Sequence, residues 1–399
     1  MIASFSLFLN LNLLKLDKIC QFLGGVMVEI KEVLTKKQQK EFVQFPLKLY
    51  KNNPYFVPAI YSDELSIFKS TCIHLKTCDQ VFYLAYKDNK LVGRIQGIVQ
   101  KQYNELNSSK KARFSRFDTI DNFEVASSLL KKVEDWAKLK GLEEIIGPMG
   151  YNDLEREGLL IEGFDYISTY EEQYNFPYYQ GLIEKSGYVK DVDWLEFRIY
   201  PEFNDREVLK KIGERAKQRM KLHIGGENLS KNKYIEKYAD SIFHCIDVCY
   251  SVLYGTVPMT DEIKKNTISQ FKLVLNPKYI VAICDENENV VAFGLLLPGI
   301  GSSLQKSGGR LTLPTIIKLL RAIKKPKTLD FALIGVLPEY QGMGVNAIMM
   351  SRLQDILDEN KIEYLESNLN LETNVNVQSH WKFFRNIQHK RRRAFIKKI

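Results

Sequence analysis

Apolar and polar residues follow the same order twice along the chain. Residues 81–99 alternate as two strands around a polar turn, and residues 279–297 repeat this pattern, which predicts two β-hairpins. Gly93 and Gly294 occupy matching points of the two hairpins, at an offset of 201 residues. The pattern therefore indicates an internal duplication.

Each hairpin is followed by an amphipathic helix. Residues 124–140 and 344–360 carry apolar side chains at helical spacing, and five of these positions match at an offset of 220 residues. Each helix leads into a short apolar strand, residues 142–146 in the first copy and 362–365 in the second. Both halves therefore predict the order hairpin, strand, helix, strand, helix, strand.

This order predicts an α/β fold (α+β, with a mixed sheet) built from two tandem lobes. A length of 399 residues is enough for two or three domains. We place the first lobe at residues 27–200 and the second at residues 201–399, with the division near Tyr200–Pro201. Residues 1–26 differ in composition from the rest, and we expect an upstream extension before Met27 or a disordered N-terminus.

The second copy has about 19 additional residues between its hairpin and the next strand. They lie in residues 299–327 and include an apolar segment with cations, residues 313–325, in which Pro314 suits the first turn of a helix. One interpretation is a helix packed on its own lobe. The other is a lid or surface helix that touches an acyl chain or an anionic membrane.

Composition excludes several classes of protein. Apolar residues make up 45% and charged residues 26%, which argues against a disordered or fibrous chain. No run of 18 uncharged apolar residues follows residue 26, which argues against a polytopic membrane protein. Six cysteines are too few for a disulfide scaffold and lack the spacing of zinc ligands, so we expect a cytoplasmic protein without a metal.

A glycine-containing turn enters the second long helix at residues 335–346. Glycines let backbone N–H groups converge on a ligand, and the helix N-terminus adds partial positive charge, so this turn suits a pyrophosphate. The offset of 220 places Asp121, Asn122 and Glu124 at the equivalent turn of the first copy. Acidic residues repel a phosphate there, so we expect one cofactor per chain.

The turn resembles the acetyl-CoA signature Q/R-x-x-G-x-G/A of the GNAT superfamily of N-acyltransferases, through Gln341, Gly342 and Gly344. Asn346 departs from the expected glycine or alanine. The resemblance implies two GNAT-like lobes, an acetyl-CoA or longer acyl-CoA donor, and a last helix that lines the thioester end. That helix carries His380, which is therefore a candidate catalytic residue. The implied cofactor-binding residues are Leu337, Gln341, Gly342, Met343, Gly344, Val345, Asn346 and Asn374.

An acidic insertion at residues 147–174 is the candidate acceptor site. One interpretation is a solvated acidic loop with aromatic packing; the other is that its acids bind a cationic amine and that one of them accepts a proton. The candidate acids are Glu157, Glu162 and Asp165, and a tyrosine such as Tyr151 could protonate the leaving thiolate. A backbone N–H near Leu337 could stabilise the oxyanion.

The string GPMGYNDLEREGLLIEGFD, followed by NFPYY and an EFRI strand, resembles a bacterial subgroup of GNAT-like proteins. That subgroup includes the sphingoid-base acyltransferases called bacterial ceramide synthases. The resemblance implies a long-chain acyl donor and a lipid-like amine acceptor. A small-molecule amine stays open as the acceptor, with direct transfer from CoA and no covalent enzyme intermediate.

The basic residues 389–399 could form a surface that binds nucleic acid, but no known nucleic-acid-binding motif accompanies them. We therefore favour a terminal strand and do not expect nucleic acid as a partner. Two other functions fit the same architecture. One is an aminoacyl-tRNA-dependent transferase, which would not need the CoA loop; the other is a non-catalytic acyl-CoA-binding or scaffold protein.

Overall fold

The structure is a computed structural model that describes residues 27–399, so the expected N-terminal extension lies outside the described residues. The described chain forms one 14-stranded mixed sheet flanked by helices. Both copies of the element order predicted from the sequence are present. The predicted α/β class with a mixed sheet is confirmed.

The first half of the chain forms one end of the sheet. An edge strand and two helices precede the long hairpin, which leads to a parallel strand pair connected by a helix. The strands are β1 (Glu29–Glu32), β2 (Cys78–Lys87), β3 (Lys90–Gln100), β4 (Lys111–Thr119), β5 (Glu144–Gly147), β6 (Leu159–Glu162) and β7 (Val189–Phe203). The helices are α1 (Lys36–Leu49), α2 (Tyr61–Ser66), α3 (Lys101–Leu106), α4 (Phe123–Leu139) and α5 (Tyr178–Lys185).

The second half repeats this order at the other end of the sheet. The strands are β8 (His223–Ile224), β9 (Ile280–Cys284), β10 (Val290–Pro298), β11 (Thr328–Val336), β12 (Tyr364–Ser367), β13 (Asn370–Leu371) and β14 (Phe384–Lys398). The helices are α6 (Arg206–Met220), α7 (Lys231–Tyr250), α8 (Asp261–Phe271), α9 (Gly301–Gln305), α10 (Leu313–Lys324), α11 (Val345–Glu359) and α12 (Val375–His380).

The two halves exchange their last strands at the centre of the sheet. The strand order is β1-β2-β3-β4-β5-β14-β7-β12-β11-β10-β9-β8. The C-terminal strand β14 therefore lies between β5 and β7 of the first half, and β7 pairs with β12 of the second half. The division near Tyr200–Pro201 falls inside β7 and stays a prediction.

Each half buries its helix stripe in its own hydrophobic core. On α4 the Asn122 side chain accepts from the Val125 N–H at 3.1 Å, which caps the helix, and Leu129 and Val133 are fully buried. On α11 the matching side chains pack beneath β9, β10 and β11. The N-terminus of α4 therefore lies beside the parallel pair β4–β5, and the N-terminus of α11 lies beside the parallel pair β11–β12.

The additional residues of the second copy form α9 and α10. Residues 299–327 connect β10 to β11, whereas residues 101–110 connect the equivalent strands β3 and β4. The difference of 19 residues agrees with the sequence offsets. The helix of both interpretations is α10, and its inner face belongs to a cluster that contains Ile300 and Leu304 of its own half and Ile60 and Tyr170 of the first half.

The basic C-terminus is the interior strand β14, as the terminal-strand interpretation predicted. Arg392 is fully buried, and its Nε lies 2.6 Å from a carboxylate oxygen of Glu196 on β7. Lys390 is buried beside the same carboxylate, and Arg393 pairs with Asp193 at 2.8 Å. These cations neutralise acids inside the sheet, so they do not form a nucleic-acid patch.

Candidate active site

The turn between β11 and α11 presents consecutive backbone N–H groups without a protein acceptor. Gly342 (φ 72°) and Gly344 (φ 89°) adopt the left-handed conformation that favours glycine. Within the described part of the chain, the N–H groups of residues 342–346 make no hydrogen bond to protein. The first N–H groups of a helix lack internal partners and carry partial positive charge, so this turn can bind an anion.

Helix α6 packs against the turn and adds a cation to it. An added Cβ at Gly344 would lie 3.3 Å from the Cβ of Ala216, which shows how closely the helix approaches. Arg219 donates from Nη2 to the Met343 carbonyl at 2.7 Å. Arg219 is exposed beside the free N–H groups, and nothing in the local sequence pattern had pointed to it.

The other residues of the expected cofactor loop contribute in different ways. Gln341 donates from Nε2 to the Val336 carbonyl at 2.9 Å, which fixes the turn rather than leaving the amide free. The side chain of Met343 is exposed, so it can contact a ligand at the rim of the turn. The side chain of Val345 is buried, so this residue can contact a ligand only through its backbone. Asn346 lines the cavity described below, and its Oδ1 has no partner among the described residues.

The expected role of Leu337 needs correction. Its N–H donates to the Val291 carbonyl at 2.9 Å, and its side chain is buried. Because this N–H continues the pairing of β11 with β10, it is not free to stabilise an oxyanion. Leu337 therefore supports the turn from inside the core.

The equivalent turn of the first copy cannot bind an anion in the same way. The side chain of Asn122 caps α4, and Glu124 extends beside it to pair with Lys87 at 2.9 Å. An acid and a capping side chain occupy the helix N-terminus that a phosphate would need. The asymmetry expected between the two copies is present in these contacts.

A cavity of about 1040 Å³ begins at the turn and opens where β11 and β12 separate. The parallel pair runs from Thr328 opposite Tyr364 to Phe331 opposite Ser367, and β11 then continues without β12. Gln341, Gly342 and Asn346 line one end of this cavity. A ligand bound to the turn can therefore extend into the gap between the two strands.

Helix α12 forms the wall opposite β11. Asn374 lines the cavity and accepts at Oδ1 from the Val377 N–H at 3.3 Å, which caps the helix. His380 also lines the cavity, and burial lowers the pKa of its imidazole to about 4. The ring is therefore neutral near pH 7, and its Nδ1 has no partner within the described residues. A catalytic role for His380 therefore stays a prediction, and its place in the structure is the cavity wall.

The middle of the cavity is apolar. Helices α7 and α8 face β10 and β11 across it, and the walls are made of aliphatic and aromatic side chains. This volume exceeds what a two-carbon acyl group needs, and an apolar lining suits hydrocarbon. Representative lining residues are Ile235, Ile242, Ile246, Ile268, Phe271 and Leu295.

The far end of the cavity is acidic and comes from the first half of the chain. Burial raises the pKa of Asp153 to about 6, of Glu171 to about 7 and of Glu172 to about 8. Burial also raises the pKa of Glu157 well above its usual value, and Asp153 and Glu172 raise it further. Glu157 is 6% exposed, and its Oε2 has no partner among the described residues. The wall also includes Glu155.

A buried arginine holds the acidic insertion against the second half. Arg113 on β4 donates from Nη1 to the Gly150 carbonyl at 3.1 Å and from Nη2 to the Gly255 carbonyl at 2.9 Å. Its side chain is 1% exposed. Because Gly150 precedes the acids and Gly255 follows α7, this arginine brings Asp153 and Glu157 to the junction of the two halves.

Arg392 lies beside two neighbouring buried glutamates, Glu196 and Glu172. Its Nε lies 2.6 Å from Glu196 and 3.3 Å from Glu172. Burial would raise the pKa of Glu196, but Arg392 and Lys390 outweigh burial and lower that pKa to about 2. Burial raises the pKa of Glu172 to about 8, although Arg392 acts to lower it.

Three of the expected catalytic residues lie away from this cavity. Glu162 is exposed and pairs with Arg391 at 3.3 Å, and Asp165 is exposed on the following loop. Tyr151 is fully buried in the first half, where Gln96 donates to its hydroxyl at 2.8 Å and the ring stacks on His74. None of the three lines the cavity, whose acids come from residues 153–157 and 171–172 of the insertion.

Within residues 27–399, one group of potential metal ligands comes together: His223, Cys284 and Glu288. Lys237 and Tyr238 already bind the carboxylate of Glu288, at 2.9 Å and 2.8 Å. An ammonium group at that carboxylate opposes a metal cation, so we assign this group to the edge of the sheet and not to the cavity.

The arrangement of the sheet resembles known structures. A tandem GNAT protein from the clavulanic acid biosynthesis pathway superposes with a TM-score of 0.53 at 8% identity, over 93% of this chain and 98% of that one. The chain has the tandem GNAT fold. A GCN5-related glucosamine N-acetyltransferase region of a fungal β-N-acetylglucosaminidase also resembles this tandem GNAT fold, with a TM-score of 0.55 at 11% identity over 94% of this chain and 38% of that one.

Two curated relatives share sequence with this chain. Protein YghO of Escherichia coli (strain K12) is 26% identical over 380 residues, which cover 93% of this chain and 95% of the relative. A bacterial ceramide synthase of Caulobacter vibrioides (strain NA1000 / CB15N) is 21% identical over 315 residues, covering 77% and 80%. No protein-family model matches the chain.

A helix that crosses a membrane must be both long and apolar. Between residues 27 and 399, no helix combines the length and the apolar composition that crossing a membrane requires.

Proposed function

We propose that the protein is an acyl-CoA-dependent N-acyltransferase that transfers the acyl group directly to an amine. The observation that carries this proposal is the polarity of one cavity. Unpaired N–H groups of residues 342–346 lie at one end, and the unpartnered carboxyl of Glu157 lies at the other. The first end suits a pyrophosphate, the second suits a cationic amine, and the gap beside β11 connects them.

The acids would prepare the amine for attack. An ammonium entering beside Glu157 and Asp153 favours their ionised forms, and one carboxylate then accepts a proton from the nitrogen. The neutral nitrogen attacks the thioester carbonyl, a C–N bond forms, and the C–S bond breaks to release CoA thiolate. The thiolate takes up the second amine proton through water, so no covalent enzyme intermediate is needed.

The apolar middle of the cavity supports a finer proposal. A long acyl chain would lie between α7, α8 and β10, and the acceptor would be a lipid-like amine. The resemblance to the bacterial ceramide synthase named above adds support, since that name implies a long-chain amide product. Contact with an anionic membrane, the other partner expected from the sequence, also stays a proposal and is argued from α10 below.

Thiol release tests the activity. Purified protein is incubated with acetyl-CoA or palmitoyl-CoA and a panel of soluble and long-chain amines, and free CoA is measured with a chromogenic disulfide. We expect amine-dependent release that is faster with palmitoyl-CoA. Glu157→Gln should lower kcat by about 10²-fold or more, while Glu162→Gln, a matched change outside the cavity, should leave it unchanged.

The same assay separates the alternatives. A non-catalytic acyl-CoA-binding protein would be stabilised thermally by CoA but would release no thiol with any amine, and that outcome would refute the transferase. An aminoacyl-tRNA-dependent transferase would show no stabilisation by CoA. The basic C-terminal strand gives that alternative no support, because Arg392 and Lys390 are buried against carboxylates.

A further inference from the structure

Helix α10 has two apolar faces, of which only one is covered. Leu319 is 3% exposed and packs against Ile300 and Leu304. On the other face Leu313, Ile316, Ile317 and Leu320 are 72%, 38%, 43% and 50% exposed. Their spacing of three, four and seven residues places them in one stripe on the helix surface. A contiguous exposed apolar stripe of this kind marks an interaction surface.

The chain segment that carries this stripe is basic. Residues 289–329 contain seven lysines and arginines and no aspartate or glutamate. On the helix itself Lys318, Arg321 and Lys324 are exposed, and none of the three forms an ion pair within residues 27–399. Exposed apolar residues flanked by unpaired cations are complementary to an anionic membrane surface, where the apolar face enters the headgroup region and cations meet lipid phosphates.

A second cavity lies directly behind the helix. It has a volume of about 420 Å³ and is lined by Leu319 of α10 and by Leu311, which is 43% exposed. Its inner wall shares Leu154 and Phe271 with the larger cavity. The smaller cavity therefore reaches from the helix that bears the stripe to acids of the larger cavity, since Glu155 and Glu171 line both cavities.

We propose that α10, with Leu311, docks on an anionic membrane and that the smaller cavity opens toward the bilayer at this site. The stripe of Leu313, Ile316, Ile317 and Leu320 enters the headgroup region, and Lys318, Arg321 and Lys324 contact anionic lipid. The docking stands independently of the acyl transfer. The delivery of an amphipathic amine through the smaller cavity rests on the proposed function.

Vesicle flotation of the full-length protein without acyl-CoA tests the docking. The probes are vesicles of phosphatidylglycerol mixed with phosphatidylcholine and vesicles of phosphatidylcholine alone. We expect binding to the anionic vesicles that weakens at high salt, and binding at least about tenfold weaker to the neutral ones. Ile316→Ser/Ile317→Ser should weaken anionic binding at least about tenfold, because it removes two exposed apolar side chains.

Leu106→Ser/Leu139→Ser is the matched control, because both leucines are exposed in the first half, at 61% and 88%. This control should float like the unchanged protein. Equal flotation of the Ile316→Ser/Ile317→Ser variant, or no flotation of the unchanged protein, would overturn the proposal. A dimer in sedimentation that only this variant loses, without vesicle binding, would assign the stripe to a second copy of the chain.

Thiol release with a water-soluble amine separates this proposal from the enzymatic one. If docking fails while soluble-amine transfer persists, the membrane proposal is wrong and the transferase stands. If docking occurs and no amine is acylated, the transferase proposal is wrong and the membrane proposal stands. With a long-chain amine presented in anionic vesicles, Ile316→Ser/Ile317→Ser should slow transfer while transfer to the soluble amine is unchanged.

Discussion

The anion-binding role of the turn at the start of α11 can be tested with a pair of isosteric substitutions. Gly342 has a φ of 72°, and a Cβ added there would meet no atom within 4 Å. Gly342→Glu and Gly342→Gln therefore both fit, and each carries the same left-handed strain of about 1–2 kcal/mol. The two variants differ mainly in one negative charge, which would lie beside the free N–H groups.

The size of the charge effect follows from Coulomb's law. Two like charges about 4 Å apart repel by about 1 kcal/mol in bulk water and about 4 kcal/mol at an effective permittivity of 20. Gly342 is exposed, so we expect about 1–3 kcal/mol, which is about 5- to 150-fold in Kd. Gly344 is a less suitable site because an added Cβ would approach Ala216.

Titration calorimetry with CoA at low and high salt measures this difference. We expect Gly342→Glu to bind CoA more weakly than Gly342→Gln at low salt, with a smaller gap at high salt because ions screen exposed charges. Unfolding curves for both variants should coincide, since their strain is shared. Equal CoA affinity of the two variants at low salt would refute the assignment of this turn to a diphosphate.

Three further predictions concern the cations and acids around the cavity. Arg392→Met should lower the free energy of unfolding by about 3–5 kcal/mol in denaturant titrations, because it removes the nearer of the two cations that pair with buried Glu196. The exposed Arg385→Met should cost less than about 1 kcal/mol. Burial raises the pKa of Glu172 to about 8, so the folded protein keeps a proton that the unfolded chain loses above about pH 4.5. The free energy of unfolding should therefore fall as the pH rises toward 8. Thermal unfolding at about pH 6 and pH 8 should show a smaller fall for Glu172→Gln than for the unchanged protein. Arg219→Gln should weaken CoA binding by about 3- to 10-fold, while Arg215→Gln on the same helix should not, as calorimetry would show.

The duplicated order of elements was predictable because each element buries one face in its own half. The stripe of α4, with Leu129 and Val133, and its counterpart on α11 depend only on helical periodicity and local burial. The glycine turn was predictable for a similar reason, since a left-handed backbone limits the residue type.

The orientation of the acidic insertion was not predictable. Glu157 and Glu162 are five residues apart in the same insertion, yet one is buried at the cavity and the other, at the end of β6, is exposed. The difference arises from Arg113, which lies far away in sequence and holds the first part of the loop by its carbonyls. No periodicity within the loop encodes that contact.

The exchange of the last strands was also hidden in the sequence. β7 and β14 have the length and alternation of ordinary terminal strands. The sequence pattern therefore does not distinguish pairing within one half from pairing between the two halves. The acids that neutralise β14 lie about 200 residues earlier, at Asp193 and Glu196. The sequence alone therefore showed basic residues without their partners.

The exchange has a consequence for synthesis on the ribosome. β5 and β7 emerge early, but the strand that joins them, β14, is among the last segments to leave the exit tunnel. In the nascent first half, β5 therefore lacks a strand partner on one edge and β7 lacks partners on both edges, and carboxylates such as Glu196 lack their cations. Translation arrest before residue 384 should leave a chain that is sensitive to proteases and recruits chaperones.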